Sequence, residues 1–246
     1  MINVLLYRDW LNIKKNVILL LVIFTMLPLL LHLFLSIPLS NIISLDIRYL
    51  NWAATGIWVT ASGLLAFCVA ILRMKKIKHD SGQLDALLKT PLRNGEIIFS
   101  VIIIATLLGF LQALVSITLT VLLNNEYLGM GQIMLILLQL IPLINFYAIL
   151  GTLLGIFIKD GIALVSVILL MFLVLALSIG SFLPLANFPT NYVDVVNKFP
   201  LTTIISSCQM IIQNGTITYI GIFLTLLINI FLVLLTLVVS YKTFRK

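Results

Sequence analysis

The sequence predicts an all-α integral membrane protein with six transmembrane helices, and three observations carry that prediction. The first is composition: of 246 residues, 62% are hydrophobic and 9% are charged, whereas about a quarter of a soluble domain is charged. The second is run length, because apolar stretches of 18 or more residues recur along the chain, the signal of a membrane helix. The third is where the cations fall. Thirteen of the fifteen Lys and Arg lie in segments assigned to the inner side, and only Arg48 and Lys198 fall outside, which favours both termini in the cytoplasm. The net charge of +7 does not imply nucleic acid, since the basic residues flank apolar spans rather than forming a stripe. Cys68 and Cys208 form no CxxC pair, so neither a disulfide framework nor a metal site is implied.

Residues 1–15 are too polar to span. As a helix they place Ile2, Leu5, Leu6, Trp10 and Ile13 on one side and Asn3, Tyr7, Arg8, Lys14 and Lys15 largely elsewhere. This predicts an amphipathic helix in the membrane interface, with Trp10 at headgroup level. A cleaved signal peptide is not expected, because the following apolar run is long and has no A-x-A-like exit.

The six spans are placed at about 16–37, 51–72, 97–123, 132–157, 162–183 and 216–240. The first contains Pro28, which bends a helix and frees a carbonyl that a neighbouring helix satisfies. Its His32 has no acidic partner in any span and reads as a hydrogen-bonded or interface-facing side chain rather than a proton relay. The second is rich in small residues (Ala53, Ala54, Gly56, Ala61, Ser62, Gly63), which allow close helix approach in lipid. The fourth contains Pro142 and ends in the packing pair Gly151 and Gly155. The segment 184–215 is polar in its first half. Its second half, 201–213, is apolar but too short to cross, and predicts a re-entrant or interfacial helix.

The longest charged interruption is 73–93, with six of the fifteen Lys and Arg residues. It is expected to sit in water on the inner side. Asp80 followed by Gln83 resembles a capping box. It opens a helix over 81–88 that places Leu84, Leu87 and Leu88 on one face. Pro91 ends it. The residues alone leave two readings open: leucines in lipid with lysines on anionic headgroups, or leucines in a groove on a partner.

No span has an Asp, Glu, Lys or Arg near its centre, which argues against ion-coupled transport and against a cation channel. The chain has no G-x-x-x-x-G-K-[ST], H-E-x-x-H or G-x-S-x-G motif, so it is expected to have no enzymatic activity and no cofactor of its own. Gln112, Gln139, Asn145 and Asn229 can line a path, or bond one helix to another.

The stretch DSGQLDALLKTPL (80–92) resembles the ABC type-2 transporter permease family, with its glycine, leucine–acid pair, further leucines and T/S-P-L ending. Gly56 near the outer end of the preceding span, and Arg93 and Glu96 at the foot of the next, fit the same pattern. A second match begins at Phe188 and Pro189 and resumes in VVNKFPLT (195–202); Phe199 stands where that family has Asn. The resemblance implies a dimer of permease subunits, identical or not, each bound to an ABC ATP-binding subunit that holds ATP and Mg. The coupling surface would be Asp80, Gly82, Leu84, Asp85, Leu87, Leu88, Pro91 and Arg93, beside an interface helix carrying Leu5, Leu6, Arg8 and Trp10. Pro189, Pro200, Leu201 and Thr202 would form an external gate. The implied function is export of a drug, peptide or lipid-like substrate across the cytoplasmic membrane. Alternatives are a haem-exporter-like or lipid-linked-glycan permease of the same plan, a non-transporting membrane assembly protein, or a stand-alone channel.

Overall fold

The computed structural model describes residues 2–43, 49–80, 83–90, 93–124 and 128–244. These are helical, with no strand among the described residues. The amphipathic segment forms α1 (Ile2–Lys15) and meets α2 (Val17–Leu31) at Asn16, whose φ of −111° and ψ of 22° leave helical geometry. A π turn, His32–Ser36, and the short α3 (Ile37–Ser40) complete the first long apolar helix. It is followed by α4 (Tyr49–Lys75), α5 (Gln83–Leu88), α6 (Asn94–Asn124), α7 (Met130–Phe157) and α8 (Gly161–Leu173). The segment after α8 folds as α9 (Thr190–Val196) and α10 (Pro200–Asn214), and α11 (Ile220–Phe244) follows. Among the described residues, six helices are long and apolar enough to cross a membrane: Val17–Ser40, Tyr49–His79, Asn94–Asn124, Met130–Phe157, Gly161–Ser178 and Ile220–Phe244.

Several boundaries differ from those expected. The second span does not stop at Leu72: α4 runs to Lys75 and continues as a π turn, Lys76–Asp80. Hydropathy ends a span where cations begin, but a helix continues wherever those cations find partners. The fifth helix ends at Ser178, and Gly180 beyond it takes φ +78°. Four further residues precede the last helix.

α4 is the centre, with α6 and α7 packed against it. In its apolar window 78% of residues are buried, against 22%, 17% and 17% for the helices beginning at Val17, Gly161 and Ile220. The reason is the run of small residues. Ala53, Ala54, Ala61 and Ser62 are fully or almost fully buried, so neighbouring backbones come close. A Cβ on Gly151 would lie 2.6 Å from the carbonyl oxygen of Phe67, and one on Gly155 would lie 2.8 Å from that of Ile71. The expected packing pair is therefore the face by which α7 seats on α4. On the other side, a Cβ on Gly109 of α6 would meet Ile144 at 2.6 Å and the Ser62 carbonyl at 3.0 Å. The three outer helices turn exposed Leu, Ile and Phe outward, including Phe34, Leu169 and Phe231, as contact with lipid tails requires.

Gly151→Ala is expected to destabilise the protein by about 1–3 kcal/mol, because backbone cannot move aside for the added methyl. Gly131→Ala, with nothing within 4 Å of its new Cβ, should leave stability unchanged or slightly raised. Thermal unfolding of the two variants in one detergent checks the contrast; equal melting temperatures would remove the close-packing account.

Candidate functional site

The candidate site is the charged stretch after α4, together with the elements it touches. Arg73 is not in water. It pairs with Asp9 of α1, whose side chain is 1% exposed, while Arg73 is 18% exposed. Arg8 also approaches the carboxylate, with its Nε 3.4 Å from Asp9 Oδ1. In the π turn that follows, Lys78 Nζ donates to the carbonyl of Ile156 at 2.8 Å. His79 Nε2, when protonated, donates to the same oxygen at 3.1 Å. Ile156 lies in the last turn of α7, where carbonyls lack helical partners and the dipole favours a cation. Arg73, Lys78 and His79 thus tie the C-terminal end of α4 and its π turn to α1 on one side and α7 on the other.

Within α1, Leu5 is buried and Leu6 half-buried, while Trp10 is 56% exposed and lines a groove with Ile103, Ile104 and Leu107 of α6. The buried line runs through Leu5 and Asp9, one turn apart, on a helix that packs on α6. Asp9 escaped the sequence reading, although a lone acid on the apolar line of a basic amphipathic helix was the signal for it.

The short helix is present as Gln83–Leu88. Two of its leucines, Leu84 and Leu87, however, pack on the chain itself. Leu87 is 9% exposed and belongs to the main core, with Leu84 half-buried against it. Leu87 is therefore not available to fill a partner's groove. Asp80 does not start this helix, since its backbone closes the preceding π turn. Gly82 and Pro91 lie outside the described residues, as do the side chains of Asp80, Asp85 and Leu88. What the hairpin exposes is Lys89, Thr90 and Arg93. The Arg93 N–H donates to Glu96 Oε2 at 2.9 Å, one half of a capping box that starts α6.

The polar residues inside the spans hold helices together. Pro28 has no N–H to give the carbonyl of Phe24, and Gln112 Nε2 donates to that oxygen at 3.1 Å. Asn229 Nδ2 donates to the Pro142 carbonyl at 2.8 Å, joining α11 to α7. Gln139 Nε2 reaches Ser207 Oγ at 2.8 Å and the Thr218 carbonyl at 3.0 Å, anchoring α10. Asn145 accepts from Thr106 Oγ1 at 3.2 Å and is half-buried. His32 is buried in its π turn, and its Nδ1 makes no hydrogen bond among the described residues; the expectation of a bonded or interface-facing histidine does not hold at that atom.

In the segment after α8, Pro189 precedes α9 and Pro200 begins α10, the helix-start positions that a residue without an N–H suits. The two helices meet at 94°, a bend that fits either a broken span or a re-entrant loop. Leu201 is half-buried and Thr202 buried. The amphipathic α10 turns Ile204, Ile205, Cys208 and Ile211 into the core and ends at Gly215, whose φ of +67° closes the helix.

Gln112→Leu is expected to cost about 1–2 kcal/mol by leaving the Phe24 carbonyl unpaired. In a Pro28→Ala background the restored N–H serves that carbonyl, and the penalty should fall by at least half; additive effects would overturn the assignment. Asp9→Asn should lower stability on the order of 3 kcal/mol by stranding Arg73, with partial recovery in Asp9→Arg/Arg73→Asp, read by thermal unfolding.

Comparison with known proteins finds no match to this chain among protein-family models, curated proteins or solved structures.

Proposed function

We propose that the chain is the permease subunit of an ATP-driven ABC exporter of the cytoplasmic membrane. It pairs with a separate ATP-binding subunit, which holds ATP and Mg, and with a second permease subunit. The cargo is hydrophobic or amphipathic: a drug, a peptide or a lipid-like molecule. One observation carries this reading. α4 is a single rod at the centre of the bundle, and its charged end emerges into a hairpin clamped to α1 and α7. At 1.5 Å per residue, its α-helical part is about 40 Å long, enough to cross a bilayer. A push on the hairpin therefore acts on the helix that touches α6, α7 and α8. The chain supplies the lever, and the partner supplies the energy.

The contact surface follows from exposure. Lys89, Thr90 and Arg93 at the hairpin, and the outward face of α1 with Tyr7 and Trp10, are the groups a cytoplasmic subunit would meet. The tagged chain, purified in mild detergent from its own cells, is expected to bring down a P-loop ATPase. Lys89→Glu/Arg93→Glu should weaken that pairing about tenfold or more through like-charge or lost-charge contacts, with an unchanged melting temperature. Leu87→Glu should instead lower the melting temperature, because it buries a charge in the core. Undiminished pairing in the charge-reversed double variant would refute the coupling surface. Cargo distribution that ignores an inactive ATPase would point to an assembly protein, and conductance of the chain alone in a bilayer to a channel.

A further inference from the structure

We infer that two copies of the chain meet along α7, with their Asn145 amides hydrogen-bonded to each other in the middle of the membrane. The inference rests on the reading above, that the chain works beside a second permease subunit. It adds that this subunit is a copy, and it fixes the face. Spacing along α7 is the first support. Met134, Leu138 and Ile141 are exposed and Asn145 follows them half-buried, at steps of four, three and four residues. That is the a/d repeat by which one helix packs along another, and here it is turned out of the bundle.

The amide is the second support. Asn145 Oδ1 accepts from Thr106 Oγ1 at 3.2 Å, while its Nδ2 donates to nothing among the described residues. At 1.5 Å per residue, Asn145 stands roughly 20 Å from either end of α7. An N–H without an acceptor is costly at that depth, where there is no water. Beside it runs the groove of about 380 Å³, lined by Thr106, Leu107, Phe110, Ile141 and Asn145, with room for side chains of an approaching helix. An acyl chain would fill this groove but would bring no acceptor to mid-membrane. A second copy brings one by symmetry, because a twofold axis along the membrane normal sets both Asn145 side chains at one height. An amide is donor and acceptor at once, and its oxygen has two lone pairs. Each Oδ1 keeps Thr106 and accepts an N–H from the partner's Asn145, and each Nδ2 donates in return. One Asn in an apolar seam also fixes the alignment of the two helices.

The test uses the full chain in lipid vesicles. In a Cys68→Ala background, with Cys208 buried, Ile141→Cys is expected to form a disulfide-linked dimer on oxidation. Leu169→Cys, exposed on α8, should not. Energy transfer between donor- and acceptor-labelled copies, followed on dilution with lipid, gives the dissociation constant. Asn145→Leu should raise it about tenfold, the effect of two interhelical bonds lost together. Thr106→Val, which keeps the amide, should raise it less. Equal effects of these two variants would mean that Asn145 only holds α7 to α6, and would overturn the inference. A dimer linked through Leu169→Cys and not Ile141→Cys would overturn it too, while leaving the second-subunit reading intact. A chain that stays monomeric, or that links at Ile141→Cys only to an unlike chain, overturns it as well. So does Asn145→Leu that pairs normally but loses export, which marks a cargo contact.

Discussion

Close backbone approach along α4 is the constraint on which the other elements depend. In lipid there is no hydrophobic force between helices, so association rests on packing and on hydrogen bonds. The small residues of α4 let α6 and α7 come near enough for both. Once the backbones are that close, large side chains fit only at fixed points, and their polar atoms need partners there. Trp58 is buried against α6 and donates its Nε1–H to Thr120 Oγ1 at 2.7 Å. The Tyr49 hydroxyl reaches the carbonyl of Phe182 at 2.6 Å, which ties the loop after α8 to the outer end of α4. The outer helices then need only an apolar surface, and their sequences supply little else.

The same constraint decides what the intramembrane amides do. Gln112, Gln139 and Asn229 each donate to a carbonyl on another element. Such bonds average about 0.6 kcal/mol, but breaking one here exposes a carbonyl in a place without water. An amide in that position is a poor contact for a moving cargo, because each passage would strand its carbonyl. Asn145 is different. It pairs with the Thr106 side chain, not with backbone, and both line a groove of about 380 Å³ between α6 and α7. Of the four amides, it is the one that can change partner without cost to a helix.

The spans, their order and the packing faces were legible in the sequence because each depends on composition over many residues or on small residues at helical spacing. Pro28 announced a freed carbonyl, although not that Gln112 would serve it, since the pairing depends on how α2 and α6 align. The helix over 201–213 was legible from the length of its apolar run, although its 94° bend from α9 was not. The charged end of α4 was less legible. Counting charges placed Arg73, Lys78 and His79 in water, but whether a cation ends a helix or extends it depends on partners far along the chain. Asp9 and the carbonyl of Ile156 are such partners; the lone acid on the apolar line of α1 hints at a buried partner without saying which cation it serves, and the carbonyl carries no local signature. For the same reason the leucines of α5 left lipid and a partner's groove as the two readings, and the fold took Leu87 to neither, but into the core of the chain itself.

The burial of Asp9 also fixes the standing of α1. A helix held only by the interface could slide or detach, with its apolar side in lipid and its charges in water. Here detachment would strand Arg73, which lies among the side chains of α4 and its neighbours, without its carboxylate. It would also uncover Leu5, which is 4% exposed. Both penalties fall on the same movement, so α1 is part of the bundle and must move with α4. Because Lys78 and His79 hold the end of α7 from the other side, the inner ends of three helices respond together to whatever acts on the hairpin. Relative motion is left to the elements these clamps do not reach: the outer halves of the spans, α8, and the bent α9–α10 segment.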